Sequence, residues 1–284
     1  MIPPPEFRLP NDTHVGLVRL QVGDLQRSID YYERVLGLRA APVDDAAAVL
    51  SAEGAGTPLV ELREKRGVSP APRRGALGLF HFALLLPDRA ALGRFIAHLA
   101  ALGLRFGAAD HLVSEAIYLT DPDGLGIEVY ADRPRDTWQQ RGDELAMATD
   151  PLDLPSLVEA SGGVEWAGAP AGTTIGHMHL HVGDLSAGEA FYHRALGFDK
   201  VVWSYPGALF LSAGGYHHHL GTNTWSSGPP ATDDQARLLD WELRAGADAA
   251  AAAAVSLRAA GYAVERSGDS WSTADPWGTR LRLS

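Results

Sequence analysis

Val22-Gly23-Asp24-Leu25 and Val182-Gly183-Asp184-Leu185 are the same four residues, 160 positions apart. The same offset carries Tyr32-Glu33-Arg34-Val35-Leu36-Gly37-Leu38 onto Tyr192-His193-Arg194-Ala195-Leu196-Gly197-Phe198, and Pro87-Asp88 onto Ala247-Asp248. Three matches at one offset mark a tandem duplication. Each half divides again, because Asp24 and Asp88 stand 64 residues apart, as do Asp184 and Asp248. Ahead of Asp24, Val18, Leu20 and Val22 alternate with Leu17, Arg19 and Gln21, the period of a strand with two unlike faces. Asp24 then occupies the place of a helix N-cap. Ile29 to Leu36 repeats at helical spacing, and Gly37 closes the run. Strand-like stretches follow at Ala47 to Ala52 and Leu59 to Arg63. The pattern predicts an α+β protein of four βαβββ modules, beginning near residues 14, 78, 174 and 238, with an Asp capping each helix. Residues 1–134 are expected to form an N-terminal domain of two modules, and residues 173–284 a C-terminal domain of two more. Residues 135–172, with Pro151, Pro155, Pro170 and several glycines, form the linker, which has a short helix at Leu154 to Ala160.

Composition narrows the function. The chain has 284 residues, a hydrophobic fraction of 46% and a formal net charge of -11. Cores of ordinary size are affordable, while the acidity and the lack of a Lys/Arg cluster oppose binding to nucleic acid or an anionic membrane. There is no cysteine, which excludes thiolate catalysis, disulfides, zinc–thiolate sites and iron–sulfur clusters. The start, Met1-Ile2-Pro3-Pro4-Pro5, lacks the charged and apolar regions of a secretory signal. The apolar runs are too short to span a bilayer. A cytoplasmic enzyme or binding protein, assembled as a homo-oligomer, is the expectation.

The modules share slots. Seven residues before the four Asp positions stand Leu17, His81, His177 and Trp241. At the ends of the second and fourth modules, Asp121-Pro122-Asp123-Gly124 precedes Glu128 as Asp275-Pro276-Trp277-Gly278 precedes Arg282. Glu128 interrupts an apolar strand, where a carboxylate without a partner is costly. Two imidazoles and one carboxylate form the facial triad of non-haem iron(II) oxygenases, so His81, Glu128 and His177 are the candidate metal ligands. Leu17, Trp241 and Arg282 would then mark a decayed counterpart. His179 and His181 share a strand face with His177. They are candidates for orienting a ligand, and His179 is the alternative to His177 if the register differs. His98 and His193 fall in helices and read as surface residues, and His14 as structural or linker-contacting. Trp203, Tyr205 and Trp225 are candidate pocket walls.

The turn Val182-Gly183-Asp184-Leu185 with Phe191-Tyr192 and Leu196-Gly197-Phe198, together with Asp121-Pro122-Asp123-Gly124 and Glu128, resembles the glyoxalase/bleomycin-resistance/dioxygenase (vicinal-oxygen-chelate) superfamily. Gly78-Leu79-Phe80-His81-Phe82-Ala83, Ala131-Asp132-Arg133-Pro134 and Tyr216-His217-His218-His219-Leu220-Gly221 are particularly similar to two-domain catechol 2,3-dioxygenase-like extradiol enzymes. The resemblance spans nearly the whole chain and lapses in parts of the linker and in the last module.

The resemblance implies two open-barrel cups, one with a metal site. The metal it implies is Fe(II), with Mn(II) as the other ion, and the substrates are a small aromatic diol and O2. It further implies an acid–base histidine in the 217–219 stretch. His218 aligns best with that role, and strand parity leaves His217 and His219 open. Tyr118, ten residues before Glu128, and His111 match groups that hold substrate oxygens. One departure matters. The best-known extradiol enzymes take all three ligands from the second half, whereas here the surviving set comes from modules two and three, which are therefore expected to close around the metal together. The alternatives are a metal-dependent isomerase, lyase or thiol transferase of the same superfamily, and a metal-free binder of aromatic ligands.

Overall fold

The computed structural model describes residues 5–54, 56–72 and 74–284. Four βαβββ modules are present. The first holds β1 (His14–Val22), α1 (Leu25–Arg34), β2 (Arg39–Asp44), β3 (Ala47–Ser51) and β4 (Val60–Glu64). The second holds β5 (Gly78–Leu85), α2 (Arg89–Ala101), β6 (Gly107–Asp110), β7 (Ser114–Thr120) and β8 (Gly126–Asp132). Between the halves lie β9 (Gln140–Arg141), β10 (Glu144–Leu145) and α3 (Leu154–Ala160). The third module holds β11 (Thr174–His181), α4 (Leu185–Gly188, continued by a wider π-helical segment, Glu189–Ala195), β12 (Asp199–Val202), β13 (Ala208–Ser212) and β14 (Leu220–Asn223). The fourth holds β15 (Arg237–Arg244), α5 (Ala247–Ala259), β16 (Val264–Ser267), β17 (Ser270–Ala274) and β18 (Arg280–Leu283). Among the described residues no helix is long and apolar enough to cross a membrane.

The modules pair across the halves. One curled eight-stranded sheet runs β12-β13-β14-β11-β5-β8-β7-β6 and joins modules three and two. The other runs β16-β17-β18-β15-β1-β4-β3-β2 and joins modules four and one. In each sheet the seam is an antiparallel pair of first strands, β5 with β11 and β1 with β15. Apolar side chains of both sheets and of the helices that cover them merge into one buried core, with Phe82, Phe95, Tyr32, Phe191 and Trp241 among its largest members.

The repeated residues have repeated duties. Asp24, Asp88 and Asp184 each cap their helix, accepting from the amides of Arg27, Ala91 and Ala187 at 3.0, 2.7 and 2.8 Å. This contact satisfies an amide that the helix itself cannot. The fourth module departs from the expectation: α5 starts from Gly246, at φ 83° with no side-chain cap, and Asp248 lies in the first turn. His193 also differs. It is buried, with Nδ1 2.6 Å from the Phe198 carbonyl oxygen, because the chain end of its helix folds back over it.

Tyr32 and Tyr192 are repeated because they reach the next module's turn. Tyr32 donates to Asp121 at 3.2 Å and Tyr192 to Asp275 at 2.9 Å. Each Asp also accepts two backbone amides of its own turn. These bonds tie each module to its sequence neighbour in the opposite sheet. Burial pushes the Asp121 carboxyl up to about 7, against the pull of those hydrogen bonds. A carboxyl raised above its unfolded value binds its proton more readily in the folded state, so its stabilising share is complete below about pH 4 and is lost as pH rises through about 7. Asp121→Asn is expected to remove that slope. The stability gap between variant and wild type should change by about 2–4 kcal/mol between pH 5 and pH 8 in urea unfolding, in favour of the variant at high pH. Parallel pH profiles would contradict the assignment.

Candidate metal centre

The seam of the β5–β11 sheet places the three candidate ligands. On β5, His81 and Ala83 point to one face because side chains alternate. Ala83 lies beside Glu128 of β8 on one side and His177 of β11 on the other. The small alanine leaves open the space that the three longer side chains surround. His81 Nε2 is 2.9 Å and His177 Nε2 is 3.2 Å from the same oxygen, Glu128 Oε2. One ligating atom from each residue lies within 4.8 Å of the others. All three side chains are buried. Gly176 shapes the bulge next to His177, since a Cβ there would fall 1.8 Å from the Tyr130 hydroxyl.

The donor set suits a dication. Burial alone would raise the Glu128 carboxyl, but His177 and His81 hold it well below the usual carboxylate range. Burial pushes His177 down to about 4, in spite of Glu128, so near neutral pH its imidazole offers a lone pair. The geometry agrees. Although His81 Nε2 sits 2.9 Å from the carboxylate, it makes no aligned hydrogen bond and is buried without a partner. A buried ring nitrogen in that position is a cost unless something else occupies its lone pair. A divalent cation shared by the three residues would do so.

Two members of the cluster, His81 and Glu128, line a cavity of about 230 Å³. His218, Tyr118, His111 and His179 line it, with Phe80, Phe210, Tyr205, Trp225 and Met147 as apolar walls. Tyr205 and Trp225 are thus walls as expected. Trp203 is not: it lies outside the cavity, near the Lys200 ammonium at 6.0 Å, with its amide donating to Glu144. His179 faces His81 across the seam, and Gly221 leaves room for its ring. Its Nε2 is buried without a partner, and burial holds its pKa well below the usual value. His181, on the same face, bonds Asn223 at 2.7 Å.

Tyr118 is the cross-strand neighbour of Glu128 and lies 2.5 Å from His111 Nε2. His111 Nδ1 lies 2.6 Å from the Ala148 carbonyl, which can only accept, so Nδ1 carries the ring proton and Nε2 accepts from the Tyr118 hydroxyl. The histidine triplet lies just ahead of β14, outside the strand, and its members point different ways. His218 turns into the cavity, while His219 turns away and accepts from the Ala213 amide at 3.2 Å. His217 stands behind His218, with its Nδ1 2.7 Å from His218 Nδ1 and its Nε2 2.9 Å from Asp132. Asp132 also accepts from Tyr216, whose hydroxyl meets that of Tyr130 at 2.6 Å. Sequence reading had not singled out Asp132 or the linker residue Met147 as site residues. The signal for Asp132 was its place at the end of the strand that carries Glu128, with the same face parity.

The other sheet lacks the triad, and its register corrects one slot. Phe82 pairs with Met178 and Ile127, as Trp241 pairs with Val18 and Leu281. Trp241 therefore matches Phe82 in the core, and the counterpart of His81 is Asp240. Arg282, the counterpart of Glu128, donates to Asp240 at 2.8 Å. Arg19 joins Asp240 at 3.1 Å and Glu61 at 2.8 Å. Ion pairs fill the place where the first cup gathers its two histidines and carboxylate.

Residues 14–129 and 174–280 match the family model of the glyoxalase/bleomycin resistance protein/dioxygenase superfamily. A protein of Bacillus subtilis (strain 168) named catechol-2,3-dioxygenase is 42% identical over 271 residues, covering 93% of this chain and 94% of its own length. Among solved structures, a presumed dioxygenase from Bacillus subtilis subsp. subtilis str. 168 superposes with a TM-score of 0.66 at 15% identity, over 98% of this chain and 85% of its own. Glyoxalase I from Zea mays superposes with a TM-score of 0.57 at 18% identity, over 96% and 92%. The two structural likenesses concern the fold alone.

Proposed function

The chain belongs to the glyoxalase/bleomycin resistance protein/dioxygenase superfamily, and from that premise we propose that it is an extradiol dioxygenase, opening the ring of a catechol-type diol with O2 at a metal ion held by His81, Glu128 and His177. One observation carries the reading: two members of the His/Glu/His cluster, His81 and Glu128, line an apolar cavity that His218 and Tyr118 also line. Fe(II), or Mn(II) in its place, would supply there the charge that acidifies a bound diol and a redox path between diol and dioxygen.

The protein's own groups divide the remaining work. Asp132 accepts the Nε2 proton of His217, which leaves His217 Nδ1 to accept from His218 Nδ1. His218 Nε2 then carries the lone pair toward the cavity. It takes a proton from a diol hydroxyl and later returns it, as a general base and acid must. Tyr118, whose proton goes to His111 Nε2, presents its oxygen to accept from a substrate hydroxyl. Phe80, Tyr205, Phe210 and Trp225 hold the ring and exclude water. The isomerase, lyase or transferase alternative would call for a second ligating carboxylate, and among the described residues the cluster contains one.

The test is to load apo-protein with Fe(II) without air, add catechol and then admit oxygen. Stoichiometric oxygen uptake with a yellow ring-opened product is the expected result. Iron-replete protein that consumes no oxygen with any of a broad set of catechols would refute the reading.

A further inference from the structure

The cavity above the cluster has a wall that limits what it can hold. A second and larger cavity, about 420 Å³, lies at the junction of the two sheets and is lined in part by Arg74, Arg237 and Trp277. Three residues line both cavities: His81, Tyr118 and Phe80. The first two belong to the candidate site. Phe80 has no polar atom in its side chain, and its ring stands among those of His81 at 4.8 Å, His179 at 5.2 Å and Trp225 at 5.8 Å. It is the removable part of the partition.

Size and charge then define the occupant. A cavity of about 150 Å³ is enough for benzene, and a water-sized molecule needs roughly 30 Å³ more. A volume of about 230 Å³ therefore accepts one ring with its oxygens and a small substituent. A second aromatic ring would need the space beyond Phe80. The smaller cavity is lined by no Lys or Arg among the described residues, and Glu128 is its one carboxylate. With the metal taken up by the diol oxygens, a carboxylate on the substrate would find no Lys or Arg there to pair with, at a desolvation cost.

Building on the proposed diol chemistry, we infer that Phe80 is the specificity-determining residue that confines this site to uncharged, single-ring diols by closing it off from the larger chamber. Binding is measured without oxygen by titration calorimetry on the Fe(II) protein, using 4-methylcatechol, biphenyl-2,3-diol and 3,4-dihydroxybenzoate, with oxygen uptake as the second readout. Wild type should bind 4-methylcatechol about 100-fold more tightly than either of the others. Phe80→Ala should strengthen binding of biphenyl-2,3-diol about tenfold relative to 4-methylcatechol, a change within the reach of one removed side chain. Phe80→Leu, which preserves more of the packing, should shift the same ratio in the same direction. Equal wild-type affinity for the mono- and bicyclic diols, or an unchanged ratio in both variants, would overturn the partition while leaving the diol chemistry standing. Failure of wild type to bind any of the three diols would instead overturn the diol reading, and this inference with it.

Discussion

Glu128→Ala is expected to strip the protein of its metal and, with it, of activity. The carboxylate is the one anion among the three candidate ligands, and both imidazole nitrogens lie within 3.2 Å of its Oε2. Without it a dication would face two buried imidazoles with no countercharge. Removing one partner of a buried charged pair costs about 3–5 kcal/mol, which is a loss of roughly two to four orders of magnitude in affinity. Glu128→Gln retains the shape and removes the charge, so it should lose metal almost as fully. The effect has a thermal readout. A ligand at 1,000 times its dissociation constant stabilises the folded state by about 4 kcal/mol. Fe(II) should therefore raise the wild-type Tm by on the order of 10 °C. Neither Glu128 variant should show that rise, while Asp240→Ala, in the cup filled by ion pairs, should show it in full. Elemental analysis after dialysis checks the first claim and scanning calorimetry the second. Iron bound at wild-type levels by Glu128→Ala would remove Glu128 from the ligand set.

The residues that carried the reading are those whose duty is local. Asp24, Asp88 and Asp184 each cap the helix that follows them, and a cap is set by a few neighbouring residues. Tyr32 and Tyr192 recur because each reaches the same turn aspartate. Counting from those caps picked out His81 and His177, which the structure brings together with Glu128. The count failed in the last module because α5 has no side-chain cap to count from: Gly246, at positive φ, starts it instead. Moving one residue along a strand reverses the face, so Asp240, one place before Trp241, is the residue that matches His81. The ion pairs among Arg19, Glu61, Asp240 and Arg282 were invisible for the same reason. They depend on the register of three strands drawn from both halves. Met147 and Asp132 were missed because a linker and a strand end are positioned by the tertiary fold, which repeat symmetry does not encode.

The histidine triplet gives the second large effect. The sequence favoured His218 for acid–base work by resemblance and left His217 and His219 open, because parity needs a known register. The structure orders them: His218 lines the cavity, His217 links it to Asp132, and His219 turns away toward the Ala213 amide. His218→Ala should therefore lower kcat by about 10²–10⁴-fold, the range for loss of a positioned acid–base group. It should leave iron content unchanged and shift KM for the diol only a few-fold, since the ring is held by the apolar walls and Tyr118. His217→Ala and Asp132→Asn act on His218 only through its orientation and ring tautomer. Their kcat should fall by about tenfold, toward the lower end of losses seen when a supporting hydrogen-bond partner is removed. His219→Ala loses a buried hydrogen bond, a stability cost of about 1–3 kcal/mol, but should turn over within a few-fold of wild type. The ranking of the four variants discriminates better than any single rate. A purely structural role for the triplet would lower stability in all four without separating their kcat values. Wild-type kcat in iron-loaded His218→Ala would show that the proton passes through another group, and Tyr118 with His111, which face the same cavity, would be the next pair to replace.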